Sequence, residues 1–582
     1  MKKSPFFLFL LAILFYVFYY ASRYYIALWT GVVLSFSAVI FGILREKREA
    51  NRLLFVVFFL LSLRVLFWLS PPNWRFTLET DSSHALQLTY LLKEEGKWIP
   101  GQMGIQRELT YSFFPALYLL ITPLAIISNL ESAIIARIVY PIVCGSITVV
   151  LYYLIIRRIS NDKIAIWSSL VYCLNFVFVF FNAGYVHESL GLVFYTLFLW
   201  AFFGVYYTNI RDYKMIAISF MACALTVLSH HWSSYNLLMI TTAFFFFPIV
   251  YPRFLQLFRN TKHRFLHKLS PTFDKPSLTF VSITYCIIIF WMVFIATNAF
   301  SMHITWGFQF LQSLLNPFGT VHPQPTLLSY TLTEKILILL GTLVLVVLGV
   351  TELLTSLLKT DKFSDQHVLH FWFIICSVYI VLLSYLSPTF FRDIGIDKRS
   401  WAFAFFGISP LVARSIVRTM NGAMNNGHIT RMKRTFRLSG QVKILFMIFP
   451  LIALILQAPL SVRDPSFFQS SEICYSAALW VKEYLPENTS VALDSFSSEL
   501  IQPYGRVEFT LPIEKTTEEG LVVYRSENFI YRAPQDARII VMNKRIFEHY
   551  FLYPDVTADS SVLDRECNKL FDSPSLAIFT KN

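Results

Sequence analysis

Charge is scarce in this chain. Of 582 residues only 15% are Asp, Glu, Lys or Arg, 55% are apolar, and the mean hydropathy is +0.55. That balance excludes a soluble globular protein of this length. Cysteine is sparse as well, with seven in the chain. None of the seven has metal-ligand spacing, so a cysteine-based metal module is excluded. The H-E-x-x-H, G-x-S-x-G and P-loop patterns are absent, and with them the sequence signatures of zinc peptidases, hydrolase nucleophile elbows and P-loop nucleotide sites.

What the chain has instead is long apolar runs, many of them sufficient to cross a hydrocarbon layer of roughly 30 Å. About 13 spans are expected, near 5–21, 25–44, 53–70, 133–156, 164–182, 189–208, 215–229, 236–252, 277–299, 335–357, 368–387, 401–417 and 442–459. The run Phe113 to Ser128 is interrupted by Pro115 and Pro123 and reads as a helix lying in the interface. Basic residues fall in alternate loops: Arg45, Lys47, Arg48 and Arg52; Arg157, Arg158 and Lys163; Arg253 to Lys275; Arg418 to Lys443. The loops between them at 183–188 and 230–235 carry no Lys or Arg. Basic loops stay in the cytoplasm, so the N-terminus is placed inside and the C-terminus outside a plasma membrane. The net charge of +13 is then a topology signal with attraction to anionic membrane lipids, and calls for no nucleic acid. Lys2 and Lys3 before an apolar run also resemble a signal peptide, with Ala21-Ser22 as a cleavage position.

The fold class expected is an all-α polytopic membrane domain over 1–459, with an outer loop at 71–132. A small extracytoplasmic α/β domain over 460–582 follows. In that tail, Ser471 to Leu485 has the spacing of an amphipathic helix stopped by Pro486. Ser490–Leu493, Leu521–Tyr524, Ala537–Met542 and Leu576–Thr580 read as strands. Asn488-Thr489-Ser490 is a glycosylation acceptor triplet on the outer side. Cys144, Cys173, Cys223, Cys286 and Cys376 lie in spans as small apolar residues, while Cys474 and Cys567 share the tail and are free to pair.

Ionisable residues gather on the outer side. Glu79-Thr80-Asp81 and His84 follow the third span; His187-Glu188 and His230-His231-Trp232 occupy later outer turns; His303, His322 and Glu334 lie in a long outer segment; Arg392 and Arg399 precede a late span. Arg64 and Arg137 sit inside apolar runs toward the outer end. Snorkelling to the interface and a site role are both open for these two.

The order of these motifs resembles the GT-C superfamily of membrane glycosyltransferases, and within it the catalytic subunit of oligosaccharyltransferase. An acidic motif, Glu79-Thr80-Asp81, follows a span, and a second polar motif, His187-Glu188, stands at a later outer turn. His231-Trp232-Ser233-Ser234-Tyr235 resembles the family's aromatic-Ser-Ser-Tyr turn, and Thr331-Leu332-Thr333-Glu334 its Thr-Ile-x-Glu motif. The family's Trp-Trp-Asp-Tyr-Gly motif is missing, since Trp480 is the only tryptophan after 460. The second motif is His-Glu where the family has two acidic residues. The resemblance therefore implies the donor chemistry and leaves transfer to protein asparagine unsupported.

It implies a polyprenyl-phosphate or polyprenyl-pyrophosphate sugar donor at an outer, prokaryotic and preferably archaeal surface. Asp81, with Glu79 second, is the base for inverting transfer. Arg399, Arg392 or Arg137 offset the leaving phosphate. His84, His230, His231 and Trp232 contact substrate. Asp81, His187, Glu188 and Glu334 are candidate ligands for Mg2+ or Mn2+. A transporter of a lipid-linked or small polar substrate and a non-catalytic assembly or receptor protein are the competing readings.

Overall fold

The computed structural model describes residues 4–22, 24–69, 80–98, 111–175, 178–179, 182, 184–207, 212–259, 276–301, 303–305, 308, 345–356, 366–385, 396–424, 483–484, 490–493, 508–510, 521–526, 529–534, 539–543, 567–572 and 576–581. Its helices are α1 Ser4–Ser22, α2 Tyr25–Arg45, α3 Glu49–Leu69, α4 Thr80–Glu95, α5 Ala116–Ser128, α6 Ser132–Ile159, α7 Asp162–Cys173, α8 His187–Tyr207, α9 Tyr213–Ser229, α10 His231–Arg259, α11 Leu278–Ile295, α12 Leu345–Ser356, α13 Gln366–Tyr385 and α14 Ile396–Met424. Among the described residues six helices, α2, α6, α8, α10, α11 and α14, are long and apolar enough to cross a membrane. The last expected span, 442–459, lies outside the described residues.

Sequential helices pack as neighbours: α1 on α2, α2 on α3, α6 on α7 and α8 on α9. The late helix α14 closes the bundle by packing on both α13 and α7. One of its bonds to the earlier helices follows from a proline. Pro410 inside α14 has no N–H to give the carbonyl four residues back, at Phe406. Tyr152 of α6 supplies the missing donor, its hydroxyl reaching that carbonyl at 2.9 Å. Tyr172 of α7 donates to the Ala402 carbonyl at 3.1 Å, and the Asn175 amide to that of Trp401 at 3.1 Å. Aromatic rings fill the space around these bonds: Tyr152, Tyr172 and Tyr195 all lie against Phe406.

Two expectations are corrected. The run 164–182 is not one continuous helix, because α7 ends at Cys173. The Asn175 side chain bonds across to α14, the kind of competing hydrogen bond that makes Asn a poor helix interior. The stretch 230–235 is not a loop either: α10 begins at His231, leaving His230 as the only connecting residue. Snorkelling fails for both buried arginines. Arg64 is fully enclosed and donates through Nη1 to the Pro141 carbonyl, packed over Gly145. Arg137 is also buried, in a wide π turn, Ile135–Val139. That turn adjoins Pro141, whose missing N–H perturbs the regular helix ladder here.

The run Phe113 to Ser128 is helical from Ala116, as α5, with Pro115 at its start and Pro123 inside. Leu119, Leu120, Ile126 and Ile127 give it an exposed apolar face, while Leu117, Tyr118, Ile121 and Ala125 are buried.

Residues 490–581 contribute strands β1 Ser490–Leu493, β2 Glu508–Thr510, β3 Leu521–Ser526, β4 Phe529–Pro534, β5 Ile539–Asn543, β6 Cys567–Asp572 and β7 Leu576–Lys581. Five form a mixed sheet in the order β2-β1-β5-β7-β6, parallel at β1–β2 and β1–β5 and antiparallel at β5–β7 and β6–β7. β3 and β4 pair as an antiparallel ribbon. The proposed helix Ser471 to Leu485 lies outside the described residues except for Glu483 and Tyr484, as does Cys474; the Cys567 side chain is likewise not described.

Gly407 marks the closest approach of α14 to α13. A Cβ there would meet the Trp372 carbonyl and the Cys376 sulfur, each at 2.7 Å. Gly407→Ala is therefore expected to cost about 1–3 kcal/mol by forcing the two helices apart. Thermal unfolding of the detergent-solubilised variant should show a lowered midpoint, and an unchanged midpoint would contradict this packing.

Candidate active site at one end of the helix bundle

Two short connections bring the polar side chains together. In the first, Tyr185 and Val186 lead into α8, whose first residues are His187 and Glu188. Tyr140 of α6 donates its hydroxyl to the Val186 carbonyl at 2.8 Å. Tyr185 shares a 2.7 Å hydrogen bond with Thr89 of α4. The lead-in to α8 is thus fixed from two sides. Glu188 sits in the first turn, where a carboxylate is favoured by the helix dipole.

In the second connection, His230 alone joins α9 to α10, with extended backbone (φ −163°, ψ 128°). Its imidazole caps α10: Nδ1 accepts from the Ser233 backbone N–H at 3.3 Å and lies 3.1 Å from Ser233 Oγ. This satisfies one of the orphan donors of a helix start. The Ser234 hydroxyl donates to the His230 carbonyl at 2.9 Å. Because Nδ1 accepts, the proton of the neutral ring belongs on Nε2. That nitrogen faces Glu188 Oε1 at 3.5 Å. Gly191, one turn along α8, permits the approach. A Cβ at that position would lie 2.9 Å from the His230 Cβ and 3.0 Å from the Ser233 Cβ.

Glu188 is 5% exposed and His230 fully buried. A carboxylate so enclosed depends on its partner, and removing that partner would leave an uncompensated buried charge. Aromatic side chains build the surrounding wall. The His187 ring stacks on Tyr111 at 4.9 Å, and its Nε2 hydrogen-bonds the Tyr118 hydroxyl. Trp98 stacks on Tyr118 at 5.0 Å. His231 lies 4.7 Å from the His230 ring and 4.5 Å from that of His303, with Phe114 at 5.4 Å. Tyr235 completes the row, its hydroxyl 3.0 Å from His303 Nδ1. The Trp291 indole N–H of α11 donates to the Phe113 carbonyl at 3.1 Å, tying that helix to the same wall.

The structure brings Glu188 to His230 and His231 beside His230, while His187, next to Glu188 in sequence, turns to Tyr111 and Tyr118; Trp232 is partly buried against the core. Arg137 is buried on the helix that also carries Tyr140. Asp81 and His84 occupy the first turns of α4, and Arg399 the first turn of α14. Their side chains lie outside the described set. Glu79, Glu334 and Arg392 lie wholly outside it. Among the described residues no group of three or more His, Cys, Asp or Glu converges on one point as a metal site.

Residues missing from the sequence reading are Thr89, Tyr111, Tyr118, Tyr140, Tyr185 and Gly191.

His303 yields a pH prediction. Burial first, and the neighbouring His230 second, push its imidazole from 6.5 down to about 4. The folded state therefore holds the proton less tightly than the unfolded chain. The resulting stability is complete above pH 6.5 and is lost as pH falls toward 4. From pH 6.5 to pH 5 the loss should reach about 2 kcal/mol. His303→Gln should flatten the dependence of the melting temperature across that range. Equal slopes in the two proteins would contradict it.

No known protein-family profile matches the chain, and no curated protein matches it in sequence. Solved structures do match it in shape. The oligosaccharyltransferase of Archaeoglobus fulgidus, tethered with an acceptor peptide containing the NVT sequon, is 13% identical. It aligns over 92% of this chain and 74% of that chain with a TM-score of 0.52. The apo form of the same enzyme aligns over 93% and 75%, at 14% identity and a TM-score of 0.51. ArnT from Cupriavidus metallidurans, bound to undecaprenyl phosphate, is 9% identical over 89% of this chain and 97% of that one, with a TM-score of 0.47. The chain thus shares the fold of an archaeal oligosaccharyltransferase, the membrane architecture that the order of its outer motifs resembles.

Proposed function

We propose that the protein is a glycosyltransferase that takes its sugar from a polyprenyl-phosphate or polyprenyl-pyrophosphate donor at the outer membrane face, with inversion. The observation that supports this reading is the enclosed group of Glu188, His187, His230 and His231 at one end of apolar helices, in a fold shared with an archaeal oligosaccharyltransferase. An apolar helix bundle takes such residues inside only at a cost, and they mark sites by default.

Asp81, at the start of α4, is the base that removes the acceptor hydroxyl proton, with Glu79 as its neighbour. The acceptor oxygen forms its bond to the anomeric carbon as the bond to the lipid phosphate oxygen breaks on the opposite face. The phosphate keeps the electron pair, so no strong acid is needed. Arg399, Arg392 or Arg137 offsets the charge that develops on it. His84, His230, His231 and Trp232 orient the sugar. The lipid chain lies against apolar helix faces, each buried methylene contributing about 0.8 kcal/mol.

Imidazole and carboxylate from His187 and Glu188 are a donor set that suits Mg2+ or Mn2+. Asp81 and Glu334 would complete it. When bound, such an ion would supply further positive charge toward the leaving phosphate. The same reading keeps residues 1–459 as the membrane domain, with the N-terminus cytoplasmic. It keeps 460–582 as an outer α/β domain, with the surface of an archaeal cell as the setting.

The test is sugar transfer from an isolated lipid-linked donor in membranes carrying the protein. Asp81→Asn preserves size and removes the base, so the rate should fall by a factor of about 10²–10⁴. Transfer near the original rate would refute that role. Mass spectrometry of surface glycans from cells with and without the gene should then show one sugar missing.

A further inference from the structure

A second buried polar cluster lies at the far end of the same helices. On α10, Tyr251 is 20 residues beyond His231, about 30 Å along the axis. On α14, Arg414 and Arg418 stand near the opposite end from Arg399. The separation matches the thickness of the hydrocarbon layer, so this cluster sits at the level of the other leaflet's headgroups.

Two parts make up the cluster. In the first, the Tyr251 hydroxyl lies 3.0 Å from His367 Nδ1 and 3.3 Å from His370 Nδ1, and His370 Nε2 lies 2.7 Å from Ser356 Oγ. A hydroxyl between two imidazoles can donate to one and accept from the other, so this part is satisfied without net charge. In the second, Glu352 of α12 is 2% exposed and forms ion pairs through Oε1 with Arg414 Nε at 3.0 Å and Arg418 Nη2 at 2.7 Å. Among the described residues, one carboxylate faces two guanidinium groups here, so the positive charges outnumber the negative by one. Among the described residues Arg418 Nη1 also has no hydrogen-bond partner, while the Arg418 side chain is 37% exposed and reachable from the surface.

We propose that Arg414 and Arg418 bind an anionic phosphate group at this end of the bundle, carried either by a phospholipid headgroup or as free phosphate. A guanidinium has forked N–H groups that match phosphate oxygens, and it keeps its charge in a poorly hydrated place. Basic pockets between membrane helices at headgroup depth are suited to anionic lipids. The site is separate from the proposed sugar-transfer site by the length of the bundle and does not depend on that reading.

The experiment is native mass spectrometry of the full-length protein in detergent, with phosphatidylglycerol, phosphatidylcholine or inorganic phosphate added. Wild type should retain phosphatidylglycerol about tenfold better than zwitterionic phosphatidylcholine. The charge-balanced variant E352Q/R414Q/R418Q should lose that preference. Arg157→Gln, which disturbs an exposed ion pair with Asp162, should keep it. Millimolar inorganic phosphate displacing the lipid would identify the phosphate as the recognised group. Binding of inorganic phosphate without retention of phosphatidylglycerol would make free phosphate the ligand. Arg418→Gln alone leaves Glu352 paired with Arg414 and stands in if the triple variant does not fold. Wild-type retention of both lipid and phosphate in either variant overturns the proposal.

Discussion

A polar group carried into a bundle of apolar helices has no water to turn to, and must be matched by protein. That constraint organises this molecule. Pro410 strips the Phe406 carbonyl of its helical partner, and Tyr152 supplies a hydroxyl from another helix. The same bond places α14 against α6, so a local defect in one helix becomes a tertiary contact. Arg64 follows the rule in part by giving Nη1 to the Pro141 carbonyl, beside the wide turn that holds Arg137.

The candidate site obeys the same constraint at higher stakes, because it encloses a carboxylate. Glu188 is held at a helix start, faces an imidazole whose other nitrogen is committed to capping α10, and is approached closely only because Gly191 has no side chain. Tyrosines do the anchoring. Tyr140 fixes Val186, Tyr185 fixes Thr89, and Tyr118 fixes His187. Through Thr89 the helix that bears Asp81 is tied to the connection that bears Glu188. The acidic motifs of two distant sequence segments are thereby linked through one hydrogen bond between their supports.

Much of this was legible in the sequence, for physical reasons. Apolar run length is set by bilayer thickness, so the limits of α2, α6 and α8 fall close to the runs 25–44, 133–156 and 189–208, and the run 401–417 lies within the longer α14. His187, Glu188, His230 and His231 stood out because ionisable residues are rare in such a chain. The break after Cys173 was not legible, since the Asn175 side chain bonds a carbonyl 226 residues away. Nor was the one-residue connection at His230: polar Ser233 and Ser234 read as loop, yet their polar groups serve the helix start. The tyrosine anchors were hidden among 30 tyrosines in a sequence rich in aromatics. Strand periodicity marked Ser490–Leu493 to the residue but missed Glu508–Thr510, which has only three residues to carry a pattern, and also Phe529–Pro534 and Cys567–Asp572.

The central claim is the proposal that lipid-linked donor chemistry takes place beside the start of α8 and the His230 connection, with Asp81 of α4 as the base. Cryo-electron microscopy of the protein with a non-transferable polyprenyl-phosphate sugar analogue tests it most directly. The account predicts density for the sugar and phosphate beside Asp81, His187 and Glu188, with the chain running along apolar helix faces. An analogue bound elsewhere on the bundle, with Asp81 turned to bulk solvent and away from Glu188, would contradict it.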